Sequence, residues 1–169
     1  MAASPFSVNV HDLMHKPGQM REFELDVRLA EAMGNGATEV KAGDLVEIDF
    51  RLESVHEGIL ATAEVFAEAK AECSRCLEPV VHEVEVDFQE LFAYSYTSED
   101  ELVVVDETVD LHQPVLDAVV LNLPFQPICS PDCLGLCPDC GIRMAEDPTH
   151  KHEAAIDSRW TELKNFKED

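Results

Sequence analysis

Ile59–Glu72 reads ILATAEVFAEAKAE, and the fold turns on whether this stretch is a helix or a strand. Its alanines favour a helix on propensity alone. Parity argues the other way. Ala61, Ala63, Val65, Ala67, Ala69 and Ala71 fall on one side of a period-two ribbon, and Thr62, Glu64, Glu68, Lys70 and Glu72 on the other, with Phe66 the exception. Alternation sustained this long belongs to a strand with one buried face. The same pattern returns downstream, where Val80, His82, Val84, Val86, Phe88 and Phe92 alternate with Val81, Glu83, Glu85, Asp87 and Gln89. Between the two strands lies Cys73-Ser-Arg-Cys76-Leu-Glu-Pro79, so a cysteine pair occupies the tip of a predicted hairpin.

Upstream, Val46, Ile48, Phe50 and Leu52 alternate against Glu47, Asp49, Arg51 and Glu53, and Phe23, Leu25, Val27 and Leu29 alternate with charged residues. Both read as half-buried strands, and Phe6–Val10 as a shorter one. Residues 33–43 hold three glycines and predict a flexible loop. Downstream come a polar loop at 95–101, a short strand at Leu102–Val105 and a helix over Val109–Leu123, with Pro114 in its first turn and Pro124 as its stop. Residues 127–141, PICSPDCLGLCPDCG, are too rich in Cys, Pro and Gly for regular structure. Ile156, Trp160, Leu163 and Phe166 suit one face of a terminal helix capped by Asp157 or Ser158. The expected fold is α+β: a mainly antiparallel sheet or partly open β-barrel with one packed helix, a zinc-knuckle hairpin and a Cys-rich C-terminal segment. Residues 1–125 form the β-rich domain, and 126–169 a Cys/His-rich zinc segment and short terminal helix packed on the same domain.

Composition narrows the function. The 169 residues contain 12 Lys plus Arg against 35 Asp plus Glu, a formal charge of −23. That balance opposes gripping nucleic acid by phosphate neutralisation and binding an anionic membrane surface. Residues 77–142 carry fourteen carboxylates and no Lys or Arg, which reads as a solvated acidic face or as a docking surface for a basic partner. No apolar run approaches the roughly 18 residues needed to span a bilayer, and the N-terminus lacks a basic region followed by an apolar one. The expected location is the cytoplasm, where thiols stay reduced and regularly spaced cysteines are first of all metal ligands.

The cysteines are Cys73-x2-Cys76 and Cys129-x3-Cys133-x3-Cys137-x2-Cys140. Tetrahedral Zn2+ takes four soft ligands, so six thiolates exceed one closed site and fall short of two. His150 and His152, ten and twelve residues beyond Cys140, complete the count to eight. One partition joins Cys73, Cys76, Cys129 and Cys133, leaving Cys137, Cys140, His150 and His152 as a compact second site. The rival places both C-x2-C knuckles on one zinc, leaving Cys129 and Cys133 over. The first is preferred because no ligand is orphaned. Filled sites of this kind are structural, and no phosphate loop, H-E-x-x-H helix or G-x-S-x-G elbow is present. The expectation is a non-enzyme with one or two structural zinc ions. His11, His15, His56, His82 and His112 are scattered and read as ordinary surface or strand residues. Redox exchange at Cys73-x2-Cys76 is disfavoured because the pair lies between strands, away from any helix N-terminus.

The ordered set Glu72-Cys-Ser-Arg-Cys-Leu-Glu-Pro79, Val109-Asp-Leu111, Leu121-Asn-Leu-Pro124, Pro127-Ile-Cys129, Cys133-Leu-Gly-Leu-Cys137-Pro-Asp-Cys140-Gly141 and Asp157-Ser-Arg-Trp160 resembles the YceD family, the large ribosomal RNA subunit accumulation proteins. The resemblance covers roughly residues 70–163. The family pattern shows Cys-x-Cys after the last knuckle and Asp-Pro-Arg before the final helix; this chain has His150-Lys-His152 and Asp157-Ser-Arg159. The first departure keeps metal-ligand chemistry. The resemblance implies a non-enzymatic role in large-subunit ribosomal RNA accumulation. The expected partner is a basic ribosomal protein or a pre-ribosomal particle of the large subunit. Its alternative is a zinc-dependent nucleic-acid-binding module that touches rRNA directly.

Overall fold

The computed structural model describes residues 4–95 and 101–152. The terminal helix expected around 156–166 lies outside the described residues. Eight strands precede or flank one helix: β1 (Ser7–Asn9), β2 (Met20–Arg28), β3 (Met33–Gly34), β4 (Thr38–Val40), β5 (Leu45–Ser54), β6 (Gly58–Glu72), β7 (Pro79–Ala93), β8 (Thr108–Asp110) and α1 (His112–Asn122). Ile59–Glu72 is strand throughout, and β6 is the axis of the sheet. β7 pairs with it antiparallel over its whole length. On the other edge β5 pairs along Ile59–Ala67, and β4 continues that edge at Lys70 and Ala71. With β2 beyond β5 and β3 beyond β4, the result is a mostly antiparallel half-barrel.

Parity decides burial as the alternation requires. Ala61, Ala63, Val65 and Ala69 are fully buried beside Ile48, Phe50 and Leu52 of β5 and Val84 and Val86 of β7. α1 lays Pro114, Val115 and Val119 on this core, so helix and sheet share one hydrophobic interior. Propensity loses to period because a helix would scatter these alanines around its axis, whereas a strand sets them on one side, with Ala67 and Ala71 partly buried.

Three expectations need correction. Residues 33–43 are not a free loop, since they contain β3 and β4. The Asn35 carboxamide accepts the Ala37 and Thr38 amides, both at 3.0 Å, closing a turn that sets Thr38 and Val40 into the core. The same turn holds the chain leaving α1, because Asn35 Nδ2 donates to the Leu123 carbonyl (3.0 Å) and Thr38 Oγ1 to that of Pro124 (2.8 Å). The helix starts at His112 rather than Val109. Residues 108–110 pair with β1 instead, a partner a hundred residues away, and Asp110 Oδ1 then accepts the His112 amide. Leu102–Val105 is no strand but two isolated bridges, Val103 to Ala93 and Val105 to Thr108.

The polar side of the sheet carries an unusual register. Glu24 lies opposite Asp49, Asp49 opposite Glu64, and Glu64 opposite Asp87, a row of four carboxylates across β2, β5, β6 and β7. Alongside it run Asp26, Glu47, Phe66 and Glu85, and Glu68 faces Glu83. Directly opposed residues share a face, and like charges there are destabilising. The acidic face is thus built from four strands and not from residues 77–142 alone. Glu64→Thr is expected to raise unfolding free energy by about 0.5–1 kcal/mol at low salt. Urea titrations should show the gain shrinking near ~1 M NaCl, where the screening length is about 3 Å.

Candidate metal centres

Each cysteine knuckle is a backbone turn before it is a metal site. In the first, the Cys73 amide donates to the Glu78 carbonyl (2.7 Å) and the Leu77 amide to the Cys73 carbonyl (2.9 Å). In the second, the Cys137 amide donates to the Ile142 carbonyl and the Gly141 amide to the Cys137 carbonyl, both at 2.8 Å. The fourth residue after the leading cysteine must take positive φ in both: Gly141 at 73° and Leu77 at 61°. Glycine adopts this region freely, whereas for leucine it costs about 1–2 kcal/mol. The first knuckle keeps that conformation because its surroundings enforce it.

Those surroundings are the Cys-rich segment. The Ser74 amide donates to the Pro127 carbonyl (2.8 Å), and the Leu136 amide to the Arg75 carbonyl (2.9 Å). The Arg75 guanidinium donates to the carbonyls of Pro131 (3.2 Å) and Cys133 (3.0 Å). Arg143 pairs with Glu78, tying the second knuckle to the tip of the hairpin. Gly135, at φ 77°, runs so close that a Cβ there would sit 3.0 Å from the Arg75 carbonyl oxygen. Gly135→Ala is expected to cost about 1–2 kcal/mol from the left-handed conformation alone. Faster labelling of Cys73 and Cys76 by a thiol reagent would report the loosened clamp.

The eight residues singled out from sequence gather in two groups. Cys73, Cys76, Cys129 and Cys133 form one, and Cys137, Cys140, His150 and His152 the other, with the ligand atoms in each within 4.8 Å of one another. In the first group Cys73 Sγ is 3.9 Å from Cys133 Sγ, and Cys76 Sγ is 3.6 Å from Cys129 Sγ. Zn–S bonds of about 2.3 Å in a tetrahedron place sulfurs about 3.8 Å apart. The donor set therefore fits a four-thiolate zinc site. In the second group Cys140 Sγ lies 3.1 Å from His150 Nε2 and 3.2 Å from His152 Nε2, with the two ring nitrogens 2.8 Å apart. Two sulfurs and two imidazole nitrogens are likewise a structural zinc donor set.

The thiols do not titrate alike. Burial opposes ionisation of Cys73, but the amides of Arg75, Cys129 and Cys76 point at its sulfur and bring its pKa down to about 6. Cys129, sharing hydrogen bonds with Cys133 and Cys76 and partly desolvated, is pushed up to about 12. Cys137 is lowered by the amides of Cys140 and Asp139. Four converging sulfurs repel as thiolates, and a divalent cation lifts that repulsion.

Sequence reasoning missed Arg75, which it treated only as a spacer between two cysteines. A cation inside a knuckle, flanked later by a Pro- and Gly-rich segment with free carbonyls, was the available signal. It also missed the Glu78–Arg143 link, for which distance in sequence leaves no cue.

The YceD family model, described as large ribosomal RNA subunit accumulation protein YceD, matches residues 61–167. An uncharacterized protein of Mycobacterium tuberculosis is 46% identical over 168 residues, covering 95% of this chain and 81% of that one. An uncharacterized protein of Mycobacterium leprae is 37% identical over 167 residues, 95% and 76% of the two chains. The uncharacterized protein YlbN of Bacillus subtilis is 25% identical over 124 residues, 71% and 72%. No solved structure matches the chain. The match reaches back from the Cys-rich segment through the knuckle hairpin into β6, and the chain belongs to the YceD family of large ribosomal RNA subunit accumulation proteins.

Proposed function

We propose that this protein is a non-enzymatic, zinc-stabilised acidic adaptor that holds a basic component of the large ribosomal subunit while its RNA accumulates. The family supplies the ribosomal context. The observation that carries the adaptor reading is the row Glu24, Asp49, Glu64 and Asp87, set on one face despite the repulsion among its members. Ribosomal proteins are generally basic, and such a face raises their rate of encounter by long-range attraction. RNA phosphates, repelled by the same face, would take over the partner's cations and release it.

Cys73, Cys76, Cys129 and Cys133 hold one zinc in this reading, and Cys137, Cys140, His150 and His152 the second. Both are structural, because four protein donors leave no open position for substrate. They order residues 126–152 on the β-rich domain, so that less freedom is lost on docking. No described helix is long and apolar enough to cross a membrane, in keeping with a role beside the ribosome in the cytoplasm.

The experiment is a side-by-side titration of a purified basic large-subunit protein and of an rRNA fragment. Binding to the protein, displaced by added RNA, is expected. Tight RNA binding that weakens steeply with salt, as several phosphate contacts require, would instead establish the direct RNA-binding alternative. Two cations beside the knuckles speak against that alternative, since Arg75 is engaged by carbonyls and Arg143 by Glu78.

A further inference from the structure

β7 is an edge strand of 15 residues. At its far end the Ala93 amide donates to the Leu102 carbonyl (2.8 Å) and the Ala93 carbonyl accepts from the Val104 amide (2.9 Å), both directed away from β6. The Tyr94 amide donates instead to Glu57, on the β6 side. Peptide groups alternate along a strand. Hence Val81, Glu83, Glu85, Asp87, Gln89 and Leu91 turn their backbone groups outward, and among the described residues no strand pairs with them. The segment 102–104 shows that the outward backbone groups of this edge take hydrogen bonds where a neighbouring segment supplies them, here through a single bridge at Ala93.

Proteins protect long edges with charged side chains, above all lysine, and with prolines or bulges. β7 between Val80 and Ala93 has neither proline nor lysine. Its outward residues Glu83, Glu85 and Asp87 carry charge of one sign, so two copies of this edge repel each other while a basic strand is attracted. β2, the opposite edge, carries Arg21 and Arg28. Toward the hairpin tip a groove of ≈ 740 Å³ crosses the sheet from Val81 of β7 over Lys70 of β6 to Glu39 of β4, lined also by Lys41, Leu77 and Phe125. These three apolar side chains are 58%, 58% and 74% exposed.

Building on the adaptor reading, we propose that the outer edge of β7 takes an extended basic segment of the partner as an added strand. Lys or Arg at every second position of the segment faces Glu83, Glu85 and Asp87, and an apolar residue beyond them packs on the exposed Val81 side chain. Backbone pairing supplies affinity and the alternate side chains supply selection. The chemistry recognised is therefore a spacing, cation-x-cation-x-cation, and not net charge alone.

The test uses the zinc-loaded full chain and three synthetic peptides. One carries lysines at alternate positions and a terminal phenylalanine. The second has the same composition with the lysines consecutive. The third is the alternating peptide N-methylated on the amides that would pair. The alternating peptide is expected to bind about tenfold tighter than either of the others, the worth of a few net hydrogen bonds and matched charges. Equal binding of all three overturns the proposal. On the protein, Glu85→Pro and Glu85→Gln remove the same charge, but only the first removes an outward N–H. Capture of an intact basic large-subunit protein should fall further for Glu85→Pro, and the wild-type peptide series decides the matter should that variant fold poorly. No capture by wild type sinks the adaptor reading. Equal capture by both Glu85 variants, alongside good capture by wild type, sinks the strand-addition proposal alone.

Discussion

Cys73→Ser is expected to lower bound zinc from two ions per chain to one, and to loosen the hairpin tip together with the segment it clamps. The reason lies in how little else holds that region. Residues 127–136 reach the hairpin through a few hydrogen bonds from Ser74, Arg75 and Leu136 and through four converging sulfurs. Structural zinc contributes about 10–16 kcal/mol of apparent binding free energy in small domains, far more than those hydrogen bonds at about 1 kcal/mol each. The sheet itself is expected to hold without the metal, since Ile48, Leu52, Ala61, Val65 and Val115 belong to a hydrophobic core that includes none of the eight candidate ligands. Hydrogen exchange should therefore show protection lost at 73–78 and 127–144 and retained in β5 and β6. Cys137→Ser should remove the other ion and leave the hairpin tip protected. Native mass spectrometry reads the stoichiometry directly. Two zinc ions retained by Cys73→Ser, or none in wild type from a zinc-replete preparation, would overturn the assignment.

The second large effect is electrostatic. Changing Glu83, Glu85 and Asp87 together to lysine moves the formal charge by six, from −23 to −17, and places all of that change on one strand edge. Capture of a basic large-subunit protein is expected to weaken roughly a hundredfold, mostly through a slower association rate, and zinc content to stay the same. At ~0.15 M salt the screening length is about 8 Å, so the loss should be larger below that concentration and fade well above it. Misfolding does not offer a competing explanation. A lysine at 87 would face Glu64 and one at 83 would face Glu68, turning repulsive cross-strand pairs into attractive ones. The variant should unfold at a higher temperature than wild type while binding less. Undiminished capture would refute the adaptor.

These two effects act on one strand pair, the first at its tip and the second a few residues along β7, and that explains how the molecule is put together. β6 and β7 form a hairpin whose tip carries the first candidate metal centre and whose polar side is part of the acidic face. A metal bound there would hold the tip, the Phe125 turn and the Cys-rich segment in fixed relation to the β7 edge. A carboxylate row is costly to the sheet and useful only if its geometry is held, which makes the two features complementary.

Much of this was legible in the residues. Parity alone distinguished strand from helix over Ile59–Glu72, because burial on one side of a ribbon demands period two whatever the propensity of alanine. The cysteine and histidine spacing marked out the eight residues that gather in two groups, because C-x2-C turns and closely spaced histidines bring their donors together by local geometry. What the residues could not show depended on contacts distant in sequence. β8 became strand because β1 lies beside it, a hundred residues earlier. β3 and β4 formed because the end of β6 offered an edge. The acidic composition was plain in the sequence, but the row Glu24, Asp49, Glu64 and Asp87 exists only through the register of four strands. Register is a tertiary property: a slip of one residue would turn those carboxylates into the core, and the burial of Ile48, Phe50, Ala63 and Val65 on the opposite side is what prevents it.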